Sequence, residues 1–473
     1  MRLAAALLLL LSLGIRHSAF GTSITGADWV LHFNLPDANN AAVTSEEFTI
    51  RDALVGRLQA LQTNQQGWLA TYTWSGSNTT TGAGGPILNA LQGALDRGAR
   101  IAMAVDSSVD TASRMGGSNT LAGLAARPAN PLTLVEDDSA SGIMHHKLGV
   151  FDYGTSRWVM AGSWNFTQAA CTFQWNVMLE LRSDAVFTAY TNEMAELLAG
   201  RFHDHTNKSH AHDQAAFRLA DSWTNDFVRF GPYPDDRSGG TNALTDITNI
   251  IGHAESQIVF ALNQITRLQV ATSLVQACNR GVEVVGTIPL SDALNASSSL
   301  AVYSYLTNSA NYASTNLVQW QLAYESALGA ALDDGSESDL VHAKWMVVDP
   351  FGARPVAILG SANWTDSALA SKSANDENVL FLHHREIARA LYAHLKRMAR
   401  TLNDRSDFTF THISAGQVGL RPTDTNLYLL EQSSGAGASW TNVGAAVTGQ
   451  LSGLVWPVDT TATTRWFRAR RGP

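Results

Sequence analysis

The sequence predicts an α/β protein made of two similar units, followed by a small all-β domain. The duplication rests on a pattern of His, any residue, Lys, four residues and Asp, which occurs twice within similar orders of predicted helices and strands. From about Phe408 the texture changes, because short apolar segments there alternate with Gly, Ser and Thr turns. A chain of 473 residues has room for two or three domains.

The first residues are typical of a secretory signal peptide. A basic start precedes the apolar run 3–15, and small residues follow at 18–21. A membrane anchor is the alternative, but the run is too short to span a bilayer comfortably and Arg16 ends it. We therefore expect residues 1–21 to be removed, and the mature protein to be secreted or held in the periplasm or cell envelope.

The first unit is predicted over residues 22–214. Apolar residues at helical spacing predict an amphipathic helix within 47–65, and the aromatic-rich run 68–74 predicts a buried strand. A second helix is predicted over 86–97. It should end at Gly98, because glycine readily adopts the left-handed conformation found just past helix ends. A strand follows this glycine.

The second unit, predicted over 215–406, repeats this order. A helix over 242–254 precedes a strand over 257–262, and a further helix leads into a strand over 282–287. In both units a late strand and a long helix close the pattern. These closing pairs are predicted at 176–181 and 185–202 in the first unit, and at 378–382 and 385–402 in the second.

Three smaller features are open to more than one interpretation. Four histidines lie within 203–213, but their spacing matches no standard metal-ligand set, so a solvated linker or helix end is favoured over a metal site. Cys171 and Cys278 either pair in an oxidising compartment or remain buried as free thiols. Residues 407–473 are predicted to form a β-sandwich-like module, loosely similar to fibronectin type III domains.

The repeated pattern carries the chemistry. Each copy is followed, at nearly the same distance, by a Gly-Ser-x-Asn turn. Two such matches with the same turn behind them are far more specific than one short motif. The two copies are His145-His146-Lys147-Leu148-Gly149-Val150-Phe151-Asp152 with Gly162-Ser163-Trp164-Asn165, and His342-Ala343-Lys344-Trp345-Met346-Val347-Val348-Asp349 with Gly360-Ser361-Ala362-Asn363.

This arrangement resembles the phospholipase D superfamily, whose mark is a duplicated HxKxxxxD motif followed by GSxN. The resemblance implies two α/β/α sandwich units packed face to face, with one site between them that cleaves phosphodiesters through a covalent phosphohistidine. The residue types suit that reaction. Imidazole can act as nucleophile or as acid near neutral pH, and lysines and amides can stabilise the phosphate oxygens.

The resemblance also implies roles for the matching positions. His145 is expected to be the nucleophile, and His342 the acid that protonates the leaving group and then activates water. Lys147, Lys344, Asn165 and Asn363 are expected to hold the phosphate, Ser163 and Ser361 to shape the turns, and Asp152 and Asp349 to be structural, because a strand places them opposite the lysines. No metal or other cofactor is implied.

Members of the superfamily commonly carry an acidic residue after GSxN that orients a histidine. In the second copy Glu377 occupies that place. Aligning the two copies puts Trp175 at the corresponding position of the first, while Glu180 has the same distance from its histidine but no motif match. Which histidine attacks is therefore left open. All six His, Lys and Asn residues are present, which argues against an inactive copy.

The motif itself recognises only a phosphate, so the substrate must be inferred from the surroundings. A net charge of −9 disfavours a broad polyanion-binding surface. Aromatic residues near the motifs suit a lipid surface, whereas single-stranded nucleic acid requires interleaved basic residues. These aromatic residues are Trp164, Phe166, Phe173, Trp175, Trp345 and Trp364, most of which are expected in the core.

The sequence thus favours a secreted phospholipase D-type hydrolase that contacts a membrane surface and cleaves phospholipid head groups. A secreted, metal-independent endonuclease is the first alternative. The second is a non-catalytic envelope or surface binding protein whose β module is the working part. Loss of phosphodiesterase activity in a folded His145→Ala variant would favour an enzyme, whereas binding that survives loss of both motif histidines would favour the binding protein.

Overall fold

A computed structural model describes most of the two units and the strands of the C-terminal region. The signal segment predicted at 1–21 lies outside the described residues, as do His210 and His212. The described residues are 22–36, 46–75, 82–112, 120–137, 142–209, 213–234, 240–289, 298–320 and 340–405, with short strands between 408 and 471.

The first unit is built on an eight-stranded mixed sheet. Its strands and one short additional strand are β1 (Ser23–Thr25), β2 (Trp29–Phe33), β3 (Gln66–Thr71), β4 (Arg100–Val105), β5 (Thr133–Glu136), β6 (Lys147–Asp152), β7 (Arg157–Gly162), β8 (Gln174–Trp175) and β9 (Val177–Leu181). Their order across the sheet is β1-β2-β9-β7-β6-β3-β4-β5. Strands β3, β4 and β5 pair in parallel, and the other neighbours pair antiparallel.

The second unit repeats this sheet strand for strand. Its strands are β10 (Gln214–Phe217), β11 (Asp226–Gly231), β12 (Gln257–Leu262), β13 (Glu283–Thr287), β14 (Gln319–Trp320), β15 (Leu340–Val341), β16 (Lys344–Val348), β17 (Val356–Gly360) and β18 (Glu377–Leu382). The order is β10-β11-β18-β17-β16-β12-β13-β14, so each strand takes the place of its counterpart. The short strands β8 and β15 pair with one another and join the two units. The predicted duplication is therefore confirmed.

Helices cover the sheets, and most follow the predicted apolar spacing. They are α1 (Thr49–Ala60), α2 (Gly84–Asp96), α3 (Leu121–Ala125), α4 (Gln168–Thr172), α5 (Asp184–Leu198), α6 (Ala243–Gly252), α7 (Leu268–Asn279), α8 (Ser298–Thr307), α9 (Asp366–Leu369) and α10 (Arg385–Arg405). In α1, Leu54 and Leu58 are buried against α2 and the first sheet. Gly98 follows α2 with a φ of +85°, the left-handed conformation that was predicted.

A single hydrophobic core joins the two units. Tyr190 and Leu197 of α5, Leu391 of α10, and inward-facing residues of both sheets such as Leu148 and Trp345 belong to one cluster of buried side chains. Each large apolar side chain buried there contributes roughly 1.5–3 kcal/mol relative to exposure. The units therefore pack face to face with α5 and α10 between their sheets, as the resemblance implied. Two further cores lie beneath the outer helices.

The described elements that follow α10 are all strands. They are β19 (Phe408–Ser414), β20 (Gln417–Pro422), β21 (Leu427–Ser433), β22 (Thr441–Asn442), β23 (Val447–Thr448), β24 (Leu454–Pro457) and β25 (Trp466–Arg471). One sheet has the order β19-β20-β24, and in the other β22, β23 and β25 pair with β21. This agrees with the predicted all-β texture of the region.

Both cysteines are free and buried. Cys171 lies in the core beneath α1 and α2, and Cys278 in the corresponding core of the second unit. Burial raises the pKa of the Cys171 thiol to about 12 and that of Cys278 to about 11. Of the two alternatives for the cysteines, the structure shows buried thiols. In the described parts of the chain, no helix has the combined length and apolar character that crossing a membrane requires.

Candidate active site

The two His-x-Lys motifs lie where central strands of the two sheets begin, and their side chains face one shared site. Each lysine begins a central strand, β6 or β16, and its histidine lies two residues earlier, so both side chains share one side of the strand. The ammonium group of Lys147 donates to the backbone oxygen of His145 (2.7 Å), and that of Lys344 donates to the backbone oxygen of His342 (2.8 Å). All four side chains are buried.

The Gly-Ser-x-Asn turns follow β7 and β17, and their first residue must be glycine. A Cβ on Gly162 would lie 2.2 Å from the backbone oxygen of Val177, and one on Gly360 would lie 2.1 Å from that of Asn378. No other residue fits so close to a neighbouring strand. The next residue fixes the turn from its side chain, because Ser163 Oγ accepts from Val177 N (3.1 Å) and Ser361 Oγ accepts from Asn378 N (3.0 Å).

The asparagines that end these turns carry unsatisfied polar atoms. Within the described part of the chain, Oδ1 of Asn165 and Oδ1 of Asn363 are buried without a hydrogen-bond partner. Buried polar atoms are rarely left unpaired. An amide oxygen accepts hydrogen bonds, so these two atoms match a donor on a ligand, whereas a phosphate oxygen would be bound by the amide nitrogens of the same side chains. This is the position at which the resemblance places phosphate-binding amides.

The motif histidine of the first unit is oriented by the second unit. His145 Nδ1 lies 2.6 Å from Oε1 of Glu377, a fully buried carboxylate at the start of β18. Ser361 Oγ donates to the other oxygen of Glu377 (2.5 Å), and Asn375 Nδ2 donates to Oε1 (3.3 Å). Burial raises the pKa of Glu377 to about 7 against the opposing effect of the Lys147 cation.

The motif histidine of the second unit is oriented in turn by the first. His342 Nδ1 lies 2.9 Å from Oδ1 of Asn176, and Ser163 Oγ donates to that same oxygen (2.9 Å). Asn176 therefore occupies the place that Glu377 has in the other unit. The alignment that put Trp175 there was wrong by one residue: Ser163 N bonds to the oxygen of Val177, the residue after Asn176, just as Ser361 N bonds to that of Asn378.

Two residues considered from the sequence lie away from the site. Trp175 is buried in the joint core, and Glu180 bonds to Arg57 through a 2.5 Å contact on the sheet. Four further aromatic side chains near the motifs are also buried and form no rim around the site, namely Trp164, Phe166, Trp345 and Trp364. The expectation that most of the motif aromatics belong to the core is confirmed.

The aspartates of the two motifs bind backbone groups at the far ends of their strands. Asp349 accepts hydrogen bonds from the backbone nitrogens of Glu255, Ser256 and Gln257, at 2.8, 2.7 and 2.9 Å. Asp152 accepts one from Gly154 N at 2.8 Å. The hydrogen bonds to Asp349 hold its pKa below the usual value against the effect of partial burial. Neither side chain reaches the histidines, because each strand carries it to the opposite end.

Burial and positive charge dominate the electrostatics of the site. The pKa values of His145 and His342 are held well below the usual value, first by burial and then by the two lysines. Burial also lowers the pKa of Lys147 to about 7, although Glu377 and Asp106 oppose the effect. A cluster of buried cationic groups is a poor environment for further positive charge and a favourable one for a phosphate anion.

The sequence did not single out Tyr72 and Asp106 as site residues. The ring of Tyr72 lies 4.9 Å from that of His145, and Lys147 Nζ lies 5.0 Å from the centre of the tyrosine ring. Asp106 is buried and accepts a hydrogen bond from Met144 N (2.9 Å). Tyr72 follows β3, which pairs with the motif strand β6, and Asp106 follows β4, which runs parallel to β3. This shared position at the ends of two parallel strands was the signal that could have identified them.

A network of buried charges lies behind the site and links the two units. Lys208 Nζ lies 2.6 Å from Glu193 Oε1 and 2.8 Å from Asp376 Oδ1, and His146 bonds to the same Glu193 oxygen (3.0 Å). His203 contacts Asp137, and its Nδ1 lies 3.0 Å from Asp376. The interpretation of 203–213 as a solvated segment was therefore wrong for its first two histidines, because His205 is also buried and bonds to Asp213.

Among the described residues, no group of three or more His, Cys, Asp or Glu side chains has an arrangement that could hold a metal ion. Two imidazoles and two ammonium groups interact electrostatically between the units, and each unit has an asparagine with an unpaired amide oxygen in the turn that follows its motif. Such a set can bind a phosphodiester, attack it and protonate its leaving group.

The fold and this site define a protein of the phospholipase D type, with two His-x-Lys units that share one site. The sequence matches the family described as "Cardiolipin synthase, PLD-like domain" over residues 58–198 and 247–399. The match covers more than half of the chain and includes both motifs, so the chain belongs to this family. The resemblance inferred from the motifs is thereby confirmed. A search of curated protein sequences finds no significant match.

Solved structures of several proteins are similar to this chain. Polyphosphate kinase from Porphyromonas gingivalis has a TM-score of 0.50 and 12% identity, covering 79% of this chain and 50% of that one. The chain thus spans about half the length of that kinase. Phosphatidylserine synthase from Haemophilus influenzae Rd KW20 has a TM-score of 0.47 and 12% identity, with 76% and 84% covered. Nuc from Salmonella typhimurium, a phospholipase D family member, has a TM-score of 0.27 and 21% identity, with 37% and 95% covered.

Proposed function

We propose that this protein cleaves phospholipid phosphodiester bonds through a covalent phosphohistidine on His145. The observation that carries the proposal is the reciprocal orientation of the two histidines. Glu377 of the second unit holds His145, and Asn176 of the first unit holds His342. Each bond fixes a hydrogen on Nδ1 and leaves Nε2 for the reaction, which is how an oriented imidazole serves as nucleophile or acid.

The reaction proceeds in two displacements. Nε2 of His145 attacks phosphorus, the bond to the leaving oxygen breaks, and that oxygen takes a proton from Nε2 of His342. Water then attacks phosphorus and gives a proton back to His342, and the bond between nitrogen and phosphorus breaks. Lys147, Lys344, Asn165 and Asn363 stabilise the charge on the nonbridging oxygens in both steps.

A lipid substrate is favoured over nucleic acid by the charges near the site. The cations that surround the histidines in the described residues are Lys147 and Lys344, and the carboxylates Glu377 and Asp106 lie close to them. A polynucleotide needs an extended basic track, which a chain of net charge −9 is poorly suited to provide. The family description names a cardiolipin synthase, which also supports a lipid phosphodiester.

The family description also raises the question of whether water or an alcohol accepts the phosphatidyl group in the second displacement. A synthase transfers the phosphatidyl group to an alcohol, whereas a hydrolase transfers it to water. We propose hydrolysis at a membrane surface outside the cytoplasm, with the pattern of residues 1–21 as the support for secretion. Mass spectrometry of the mature N-terminus tests the export step, because retention of these residues would contradict it.

A parallel turnover assay in EDTA tests the proposal. One arm uses vesicles of phosphatidylcholine and phosphatidylethanolamine, with and without glycerol as an acceptor, and the other uses plasmid and single-stranded DNA. We expect phosphatidic acid from the vesicles with the wild type, and none with His145→Ala or His342→Ala. Nicked DNA without lipid turnover would replace the lipid proposal by an endonuclease, and a glycerol adduct as the main product would make the enzyme a transferase. Binding without any turnover would favour the binding-protein alternative.

A further inference from the structure

The two histidines of the site have partners that are geometrically equivalent and chemically different. In the second unit, Ser361 Oγ donates to Glu377 and accepts from the backbone nitrogen of Asn378. In the first unit, Ser163 Oγ donates to Asn176 Oδ1 and accepts from the backbone nitrogen of Val177. The repeat thus places a carboxylate against His145 and a neutral amide against His342.

The orientation of the Asn176 amide is determined by its surroundings. Its Nδ2 donates to the backbone oxygens of Ala170 (3.1 Å) and Gln174 (3.4 Å), so Oδ1 must face Ser163 and His342. An oxygen at this position accepts a hydrogen from Nδ1 of His342. That fixes the tautomer of the neutral ring and leaves its Nε2 3.3 Å from the ammonium group of Lys344.

The charged groups around the two rings differ in one respect. His342 faces Lys344, Lys147 and His145. His145 faces the same two lysines and His146, but it also touches the Glu377 carboxylate. A positive charge on the His145 ring therefore has a carboxylate partner 2.6 Å away, while the groups that face His342 in the described part of the chain are cations and a neutral amide.

We propose that Asn176 is a positioning residue that assigns the two histidines different tasks: it gives His342 an amide partner in place of a carboxylate, so that the protonated His342 ring is the stronger acid and the covalent phosphate forms on His145. This inference rests on the function proposed above. When His145 Nε2 attacks phosphorus, its ring becomes positive beside Glu377. The leaving oxygen takes its proton from His342, whose ring becomes neutral between two lysines. Both changes lower the energy of the first transition state.

The same asymmetry slows the second displacement. Water must lose its proton to His342, which is a weak base because its Nδ1 partner is an amide and two lysines face its ring. The phosphoryl group must leave His145, whose positive ring is stabilised by Glu377. We therefore expect the phosphohistidine to form faster than it breaks down, and to accumulate on His145 during turnover.

Imidazole titration by NMR tests the protonation part without substrate. The full-length protein, with 15N-labelled histidine, is titrated as wild type, Asn176→Asp and Glu377→Gln, with the signals assigned from His145→Ala and His342→Ala. In the wild type we expect His342 to titrate at least about one pH unit below His145. Asn176→Asp should raise the His342 value by about one unit or more, and Glu377→Gln should lower that of His145. A His342 value at or above that of His145 would overturn the inference.

Trapping of the intermediate tests the catalytic part. Bis(p-nitrophenyl) phosphate is the probe, the reaction is quenched in alkali, and the labelled peptide is mapped by mass spectrometry. We expect the label on His145, with a steady-state fraction several-fold lower in Asn176→Asp, and label on His342 would contradict the assignment. Asn242→Asp is the matched control, because Asn242 is a buried amide that caps α6 and contacts neither histidine. It should leave both titrations unchanged.

The two measurements separate the inference from the function on which it rests. If the wild type neither turns over any phosphodiester nor becomes labelled, the proposed function fails, while the titration still decides whether Asn176 sets the acidity of His342. If turnover and label are present but Asn176→Asp changes neither the titration of His342 nor the labelled fraction, Asn176 has only a structural role and the inference fails alone.

Discussion

Glu377, at the start of β18 in the second unit, lies 2.6 Å from Nδ1 of His145 in the first unit. The reverse contact joins His342 of the second unit to Asn176 of the first. Neither unit orients its own histidine, so the site depends on the interface between the units. The joint core and the buried charge network on that interface therefore support the catalytic geometry as well as stability.

Replacement of Glu377 by glutamine should remove the charge while keeping the volume and one hydrogen-bond acceptor. The positive charge that develops on His145 would then lose its partner, so we expect kcat to fall by about 100-fold or more, within the range attributed to acid–base and electrostatic assistance. The rate of bis(p-nitrophenyl) phosphate hydrolysis at saturation measures it. Ser361→Ala, which removes hydrogen bonds to this carboxylate and to the backbone of Asn378 but leaves the charge of Glu377, is the control and should lower kcat less. Equal effects of both variants would show that orientation, not charge, is what Glu377 provides.

The rate should depend on pH in a bell-shaped manner with its maximum on the acid side. The first displacement needs a neutral His145 and a protonated His342, so kcat/KM rises with pH through the first pKa and falls through the second. Burial and the lysines lower the pKa of both groups from 6.5, and the pKa of Lys147 is about 7. Because the Glu377 carboxylate that stabilises His145 has a pKa of about 7 and is lost as pH falls, we expect the maximum between about pH 6 and 7. A profile of kcat/KM measured with a soluble phosphodiester decides this, and a maximum above pH 8 would show that the buried cations do not control the reaction.

Much of the fold was predictable from local patterns. The strand 257–262 has the predicted bounds, and the helix predicted within 47–65 is present as Thr49–Ala60 with its apolar residues buried. Hydrophobic periodicity and the positions of glycines were sufficient for these predictions, because a helix or strand of this kind depends on residues within a few positions of one another. The duplicated motif supplied the rest, since two copies of one unit with half a site each must face one another.

The partners of the site depend on contacts between distant residues and were harder to predict. Asn176 was missed because matching Asn176-Val177 with Asn378-Val379 put Trp175 opposite Glu377, and only the backbone bonds of Ser163 and Ser361 reveal the one-residue difference. The pairing of His203 with Asp137 and Asp376 was invisible for a similar reason, because the three residues are far apart in the chain. Sequence spacing cannot show which buried charges meet across an interface.

Replacing either motif aspartate should lower the stability of the protein, by a different amount for each, and should leave catalysis unchanged. Asp349→Ala leaves three backbone nitrogens and the hydroxyl of Ser256 without their acceptor, so we expect a loss of about 2–3 kcal/mol in the free energy of unfolding. Asp152→Ala is the matched comparison and should lose about 1 kcal/mol or less, because its partners are more exposed. Urea denaturation measures both. The pKa of Asp349 is lower in the folded protein than in the unfolded chain. Its contribution to the free energy of unfolding is therefore present above the unfolded-state pKa and is lost as pH falls through the folded-state pKa. A folded Asp349→Ala variant with greatly reduced kcat would contradict a purely structural role.

Lys208 should contribute strongly to holding the two units together. It is buried, lies between Glu193 of the first unit and Asp376 of the second, and has a raised pKa because those carboxylates outweigh the effect of burial. Lys208→Met would remove the ammonium group that bridges Glu193 and Asp376 and leave these carboxylates with their histidine contacts, so we expect a loss of about 3–5 kcal/mol in the free energy of unfolding. Urea denaturation at neutral pH measures it, with the exposed Lys396→Met as the control, expected within about 0.5 kcal/mol of the wild type. Because Asp376 precedes Glu377 and its backbone oxygen accepts from His145 N, kcat should fall together with stability. A stable Lys208→Met variant with normal kcat would show that the network is dispensable for both packing and catalysis.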